Sequence, residues 1–120
     1  MSAYFLFNVH KIHDSDKAAD YRGRVFATVE NFGGTYRILG GEVEKIERDW
    51  DLGILVLIEF PDREQATAWY DSDLYRPLKQ QRLQAMDASA ILIDGFDHQK
   101  TSVGNASGLT RPMPGQATGV

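Results

Sequence analysis

The chain has 120 residues, a length at which one hydrophobic core is the default, and its 42% hydrophobic and 25% charged residues are those of an ordinary globular domain. Seventeen Asp and Glu outnumber 13 Lys and Arg, and the resulting net charge of −4 argues against a nucleic-acid or anionic-membrane binder, which needs a basic face to displace counterions. There is no Cys, which excludes disulfides, zinc–thiolate sites, Fe–S clusters and thiol catalysis.

From Ala3 to Ile12 the alternation predicts a strand with one apolar face (Phe5, Phe7, Val9) and one mixed face (Tyr4, Leu6, Asn8, His10). Asp14, Ser15 and Asp16 offer helix N-caps, and their carboxylates suit the positive end of a helix dipole. Ala18, Tyr21, Val25, Val29 and Phe32 then recur at three- and four-residue spacing, the stripe of an amphipathic helix that Gly33-Gly34 ends. Two strand-like runs follow, at 35–39 and 42–48, and the Gly40-Gly41 pair between them predicts a bulge or bend in one long strand. After a turn at 49–53, Ile54–Phe60 is the most apolar run. It predicts a central strand buried on both faces, with Glu59 its one charged member.

Pro61-Asp62 stops that strand and caps a helical region, with Gln65 in place for a capping box. The region reads as two pieces, 63–71 and 74–85, because Pro77 fits only near a helix start. Residues 89–96 form the last strand. The order β-α-β-β-α-β is the split βαβ of an α+β, ferredoxin-like fold with a four-stranded antiparallel sheet. Residues 1–96 are thus expected as the domain. Residues 97–120, rich in Gly, Pro, Ser and Thr, predict a disordered tail, or alternatively an arm held on a neighbouring subunit through Leu109 and Met113. No targeting leader or membrane-length apolar run is legible, so the cytoplasm is the expected location.

Several phrases carry a resemblance: Phe32-Gly33-Gly34, Gly40-Gly41, Asp49-Trp50, Glu59-Phe60-Pro61, Trp69-Tyr70-Asp71-Ser72, Tyr75 and Arg82. In that order and spacing, over about residues 3–96, they resemble the small bacterial family catalogued as domain of unknown function 1330. The cluster from Glu59 through Tyr75 to Arg82 is its most specific part. The family usually carries an Arg just before the second glycine pair, where this chain has Leu39, and this weakens an anion-binding role built on that Arg. The stretch before the first helix is also slightly longer here. The resemblance implies a dimeric α/β barrel, in which two ferredoxin-like subunits set their sheets face to face with a cavity beside each. A third strand apolar on both faces independently asks for such a second cover. Relatives in the same superfamily include cofactor-free monooxygenases, isomerases and haem-degrading enzymes, but a shared fold does not transfer a reaction.

Three residues are candidates for catalysis: Glu59, His10 and Arg82. Glu59, if desolvated on a buried strand, would have its pKa raised toward neutrality and could act as a general acid or base. The competing role is an ion pair with Arg82 that orders helix against sheet. Arg82 shares an inward helical stripe with Leu78 and Met86, so its guanidinium needs an anion, either Glu59 or a ligand carboxylate. His10 is the best-placed group for proton transfer at neutral pH, or else a strand histidine without a role. His10 and His13 point to opposite faces of a strand and cannot chelate together, so no metal site is expected.

Tyr36, Trp50, Trp69, Tyr70 and Tyr75 are the candidate ligand-binding aromatics. Trp69 could equally be core, the tyrosines could be satisfied core phenols, and Trp50 is either a cavity lid or an interface anchor. The glycine pairs flank a strand rather than open a helix, so they are not phosphate cradles, and no nucleotide or other cofactor is expected. The expectation is a homodimer with one apolar pocket per subunit. That pocket would run cofactor-independent acid–base, monooxygenase- or isomerase-type chemistry on a small organic molecule. The alternative is a non-catalytic ligand-binding or interaction module in which Glu59 and Arg82 are architectural; a third option, haem binding, would show as colour on purification.

Overall fold

The computed structural model describes residues 1–96, in the order β1 (Ala3–Ile12), α1 (Ser15–Asn31), β2 (Thr35–Leu39), β3 (Ile54–Phe60), α2 (Arg63–Tyr70), α3 (Arg76–Ala85) and β4 (Met86–Asp94). The expected tail at 97–120, with Leu109 and Met113, lies outside the described residues. The four strands form one antiparallel sheet in the order β2-β3-β1-β4, the α+β ferredoxin-like arrangement expected from the sequence. Among the described residues no helix is long and apolar enough to cross a membrane.

Local chemistry sets the element ends. Asp14 Oδ1 accepts from the Lys17 amide at 3.0 Å and opens α1; Asp62 Oδ1 does the same for the Gln65 amide at 2.8 Å and opens α2. Gly33, with φ of +78°, takes the left-handed position that ends α1, and the Gly34 amide reaches back to the Val29 carbonyl at 2.9 Å. Between α2 and α3 the Ser72 hydroxyl donates to the Trp69 carbonyl and accepts from the Tyr75 amide, which turns the chain before Pro77 enters the next helix.

Register sorts the side chains into two faces. Phe5 lies opposite Ile58 on β3 and Leu92 on β4, so Ala3, Phe5 and Phe7 share one face with Ile58 and Phe60 and are buried under the helices. The intervening residues, Leu6, Leu55, Leu57, Ile91 and Ile93, form the other face, which the described residues leave uncovered. Among the described residues β3 is buried on the helix side alone, so the expected cover of its other face would have to come from outside them. Ile58 and Phe60 are buried, Leu55 and Leu57 only partly, and Ile54 is exposed.

A correction concerns the glycine pair. Gly40 takes φ of +67° and donates its amide to the Leu55 carbonyl, but the ladder stops at Leu39 and residues 42–48 form no strand. The left-handed glycine turns the chain off the ladder, and β3, beginning at Ile54, has no residues opposite 42–48 to pair with. The bulge of β2 instead falls between Tyr36 and Ile38. The last strand also begins earlier than expected, at Met86, directly where α3 ends.

Gly53 marks a close backbone approach. A Cβ there would sit 1.9 Å from the Val9 carbonyl oxygen, and its amide already donates to Asn8 Oδ1 at 2.7 Å. Gly53→Ala is therefore expected to pry β1 from β3 and to destabilise by about 3 kcal/mol, the upper end for overpacking. A urea midpoint unchanged from wild type would refute that close contact.

Candidate functional site

Between α1 and the helix-facing side of the sheet lies a cavity of about 430 Å³. Its walls are apolar: Phe7 and Val9 from β1, Val56 and Ile58 from β3, Val25 and Phe26 from α1. They meet because the α1 stripe at three- and four-residue spacing lies over odd positions of β1 and even positions of β3, which point to the same side of the sheet. Among the described residues the polar groups on the lining are Tyr21, Arg22, Tyr36 and Arg82, with no carboxylate or imidazole.

Arg82, on α3, is only 5% exposed. Its Nε donates to the Tyr75 hydroxyl at 3.1 Å, and its guanidinium carbon lies 5.1 Å from the centroid of the Phe7 ring. Among the described residues no carboxylate pairs with it. The Tyr75 hydroxyl, itself fully buried, lies 2.9 Å from that of Tyr21. Burial, reinforced by Tyr75, pushes the Tyr21 phenol well above the usual range, and burial does the same to Tyr36, so both stay protonated donors at neutral pH.

Glu59 stands elsewhere. Strand alternation turns it to the uncovered face, away from its neighbours Ile58 and Phe60, whereas Arg82 packs against Phe7 on the helix side. The expected Glu59–Arg82 pair is therefore not formed. Glu59 Oε2 accepts from Ser2 Oγ at 2.5 Å and Oε1 from Arg37 Nε at 2.8 Å. The Ser2 and Arg37 hydrogen bonds hold its carboxyl below the ordinary 4.5, the reverse of the expected rise. A lowered folded pKa contributes stability above the unfolded value that is lost as the pH falls through the folded one. Glu59→Gln is thus expected to keep the fold at neutral pH, since it orphans only the half-exposed Arg37, and to flatten the loss of stability below about pH 4.5. Urea midpoints at pH 7 and pH 3.5 check both; a loss of several kcal/mol at pH 7 would contradict them.

His10 is also on the uncovered face, its Nε2 3.2 Å from Ser89 Oγ. Of the three catalytic candidates, then, only Arg82 borders the cavity. Of the aromatic candidates Tyr36 lines it, and Tyr75 reaches it through its hydroxyl contacts with Arg82 and Tyr21. Trp69 is core, Tyr70 stacks on Phe5 at 5.4 Å, and Trp50 is 68% exposed on the 40–53 segment. Tyr21, Arg22 and Phe26 were not anticipated as lining groups. Tyr21 carried the usable signal: a phenol on an otherwise apolar inward stripe needs a partner for its hydroxyl. Among the described residues no three His, Asp or Glu side chains gather as a metal site.

The family model described as "Domain of unknown function (DUF1330)" matches residues 2–96. No functionally curated protein matches the chain. Among solved structures, RPA0582 from Rhodopseudomonas palustris, a protein of unknown function, is similar at 18% identity and a TM-score of 0.63, over 80% of this chain and 83% of that one. A dimeric ferredoxin-like protein of unknown function from Jannaschia sp. CCS1 is similar at 10% identity and a TM-score of 0.64, over 79% and 100%. SnoaB from Streptomyces nogalater, a cofactor-independent oxygenase, is similar at 12% identity and a TM-score of 0.60, over 80% and 94%. At these identities the likeness shows the fold.

Proposed function

The chain belongs to this family of unknown function, and from that premise we propose that it is a homodimer whose α1–sheet cavities each bind a small, mostly apolar organic molecule. The cavity carries the reading. At about 430 Å³ it has the volume of a small-molecule site, and its apolar walls with a few convergent polar groups are the usual composition of one. Support for the dimer comes from the uncovered sheet face, where Ile38, Ile91 and Ile93 are 40%, 54% and 43% exposed, and from the Jannaschia neighbour described as dimeric.

A cofactor-free reaction on the bound molecule is the second reading, favoured by SnoaB, a cofactor-independent oxygenase on the same fold. Because the described lining offers no carboxylate or imidazole, proton transfer there would fall to the phenols or to the ligand itself.

Native mass spectrometry of the gently purified full chain, beside a Val56→Phe variant, tests the proposal. Val56 borders the void, so the added ring fills it with little disturbance to packing. The expected result is a dimer carrying extra mass that the variant, still dimeric, has lost. A monomer would overturn the assembly, and ligand mass surviving Val56→Phe would overturn the site.

A further inference from the structure

Every polar side chain at the polar end of the cavity can donate a hydrogen bond, and none of them is anionic. Tyr75 is fully buried and its oxygen accepts from Arg82 Nε, so its own proton needs an acceptor, and the Tyr21 oxygen at 2.9 Å supplies it. Tyr21, which lines the cavity, is then left with a hydroxyl proton that no acceptor among the described residues takes. Arg82 uses only Nε; its two terminal nitrogens make no hydrogen bond among the described residues, although the residue is 5% exposed. Tyr36 adds a third donor without a described partner. At the rim stands Arg22, exposed and outside the described ion pairs. In a chain of net charge −4, these two arginines are the only charged side chains on the cavity lining among the described residues.

A buried cation without a counter-ion is costly unless something negative completes the site. We propose, on the premise that the cavity is a ligand site, that its ligand is an oxyanion joined to an apolar body. Its carboxylate or enolate oxygen is received by the Arg82 guanidinium and the Tyr21 hydroxyl, while the body lies along Phe7, Val25 and Val56. The chain Arg82 to Tyr75 to Tyr21 polarises each hydroxyl in turn, so the terminal Tyr21 proton is a stronger donor than a lone phenol.

Calorimetric titration of the full chain with benzoate, 1-naphthoate and octanoate, each beside its neutral primary amide, tests the assignment. Wild type is expected to bind the best-fitting carboxylate about tenfold or more tightly than its amide, the size of a charge-assisted hydrogen-bond contribution. Arg82→Met should erase that preference while amide binding persists. Tyr21→Phe, which keeps the ring, should weaken the carboxylate several-fold and the amide less, since only the carboxylate makes a charge-assisted bond there, so the inference does not depend on one variant folding. Equal binding of acid and amide to wild type would overturn the oxyanion site and leave the cavity as a ligand site. Binding of no member of either series at millimolar concentration would overturn the cavity reading itself, and this inference with it.

Discussion

Trp69→Ala is expected to remove about 3–5 kcal/mol of stability, a large share of the roughly 5–15 kcal/mol that holds a typical domain folded. Trp69 is fully buried, with ring centroids of Phe5 and Phe60 each at 5.5 Å and that of Tyr75 at 4.1 Å. Its indole nitrogen donates to Thr28 Oγ1 at 3.0 Å, and that hydroxyl donates in turn to the Val25 carbonyl at 2.7 Å. One side chain thereby joins α2 to α1 and to the centre of the sheet. The alanine variant loses the transfer energy of the ring, leaves a void among aromatics that cannot collapse, and removes the donor that Thr28 was receiving. Trp69→Phe keeps most of the volume and is expected to cost about 1–2 kcal/mol, mainly the missing hydrogen bond. Urea unfolding followed by circular dichroism measures both. A loss under about 1 kcal/mol for the alanine variant, well below the range for buried aromatics, would return Trp69 from the core to the list of ligand contacts.

Arg82→Met has the opposite expected sign. The ligand-free protein should gain about 1–3 kcal/mol, because methionine fills similar space and no desolvated cation is left without an anion. Two losses offset part of the gain: the contact of the guanidinium with the Phe7 ring at 5.1 Å and its donation to Tyr75 at 3.1 Å. A group that destabilises the empty fold while bordering a cavity is the usual mark of a binding residue, where function opposes stability. Urea midpoints at fixed protein concentration, needed because assembly shifts apparent stability, give the sign. A loss of several kcal/mol would instead show that Arg82 is compensated inside the fold and acts as architecture.

Much of the fold was legible in the chain itself. The aromatic and β-branched alternation of β1, the stripe from Ala18 to Val29, the caps at Asp14 and Asp62 and the position of Pro77 are local signals, and each element formed within a few residues of where they point. The run at 42–48 misled because alternation is a necessary and not a sufficient condition for a strand. A strand needs a partner ladder, and the start of β3 at Ile54 provides none there. Glu59 misled for a related reason. In an apolar run its burial looked like isolation, but the register places Ser2 and Arg37 beside it on the uncovered face.

The periods of hydrophobicity, the turn residues and the caps determined by themselves that this chain folds as a β-α-β-β-α-β domain with one helix-covered sheet face, since those properties depend on neighbours close in sequence. That Arg82 lies inward was legible from its helical stripe for the same reason. Its surroundings were not. Whether it meets Glu59 or Tyr75 depends on which face of β3 each residue takes and on how α1 and α3 settle over the sheet, relations between residues dozens of positions apart. Only the tertiary structure therefore decided that the buried guanidinium meets the Tyr75 phenol at the end of an apolar cavity while the carboxylate expected to neutralise it stands on the other side of the sheet.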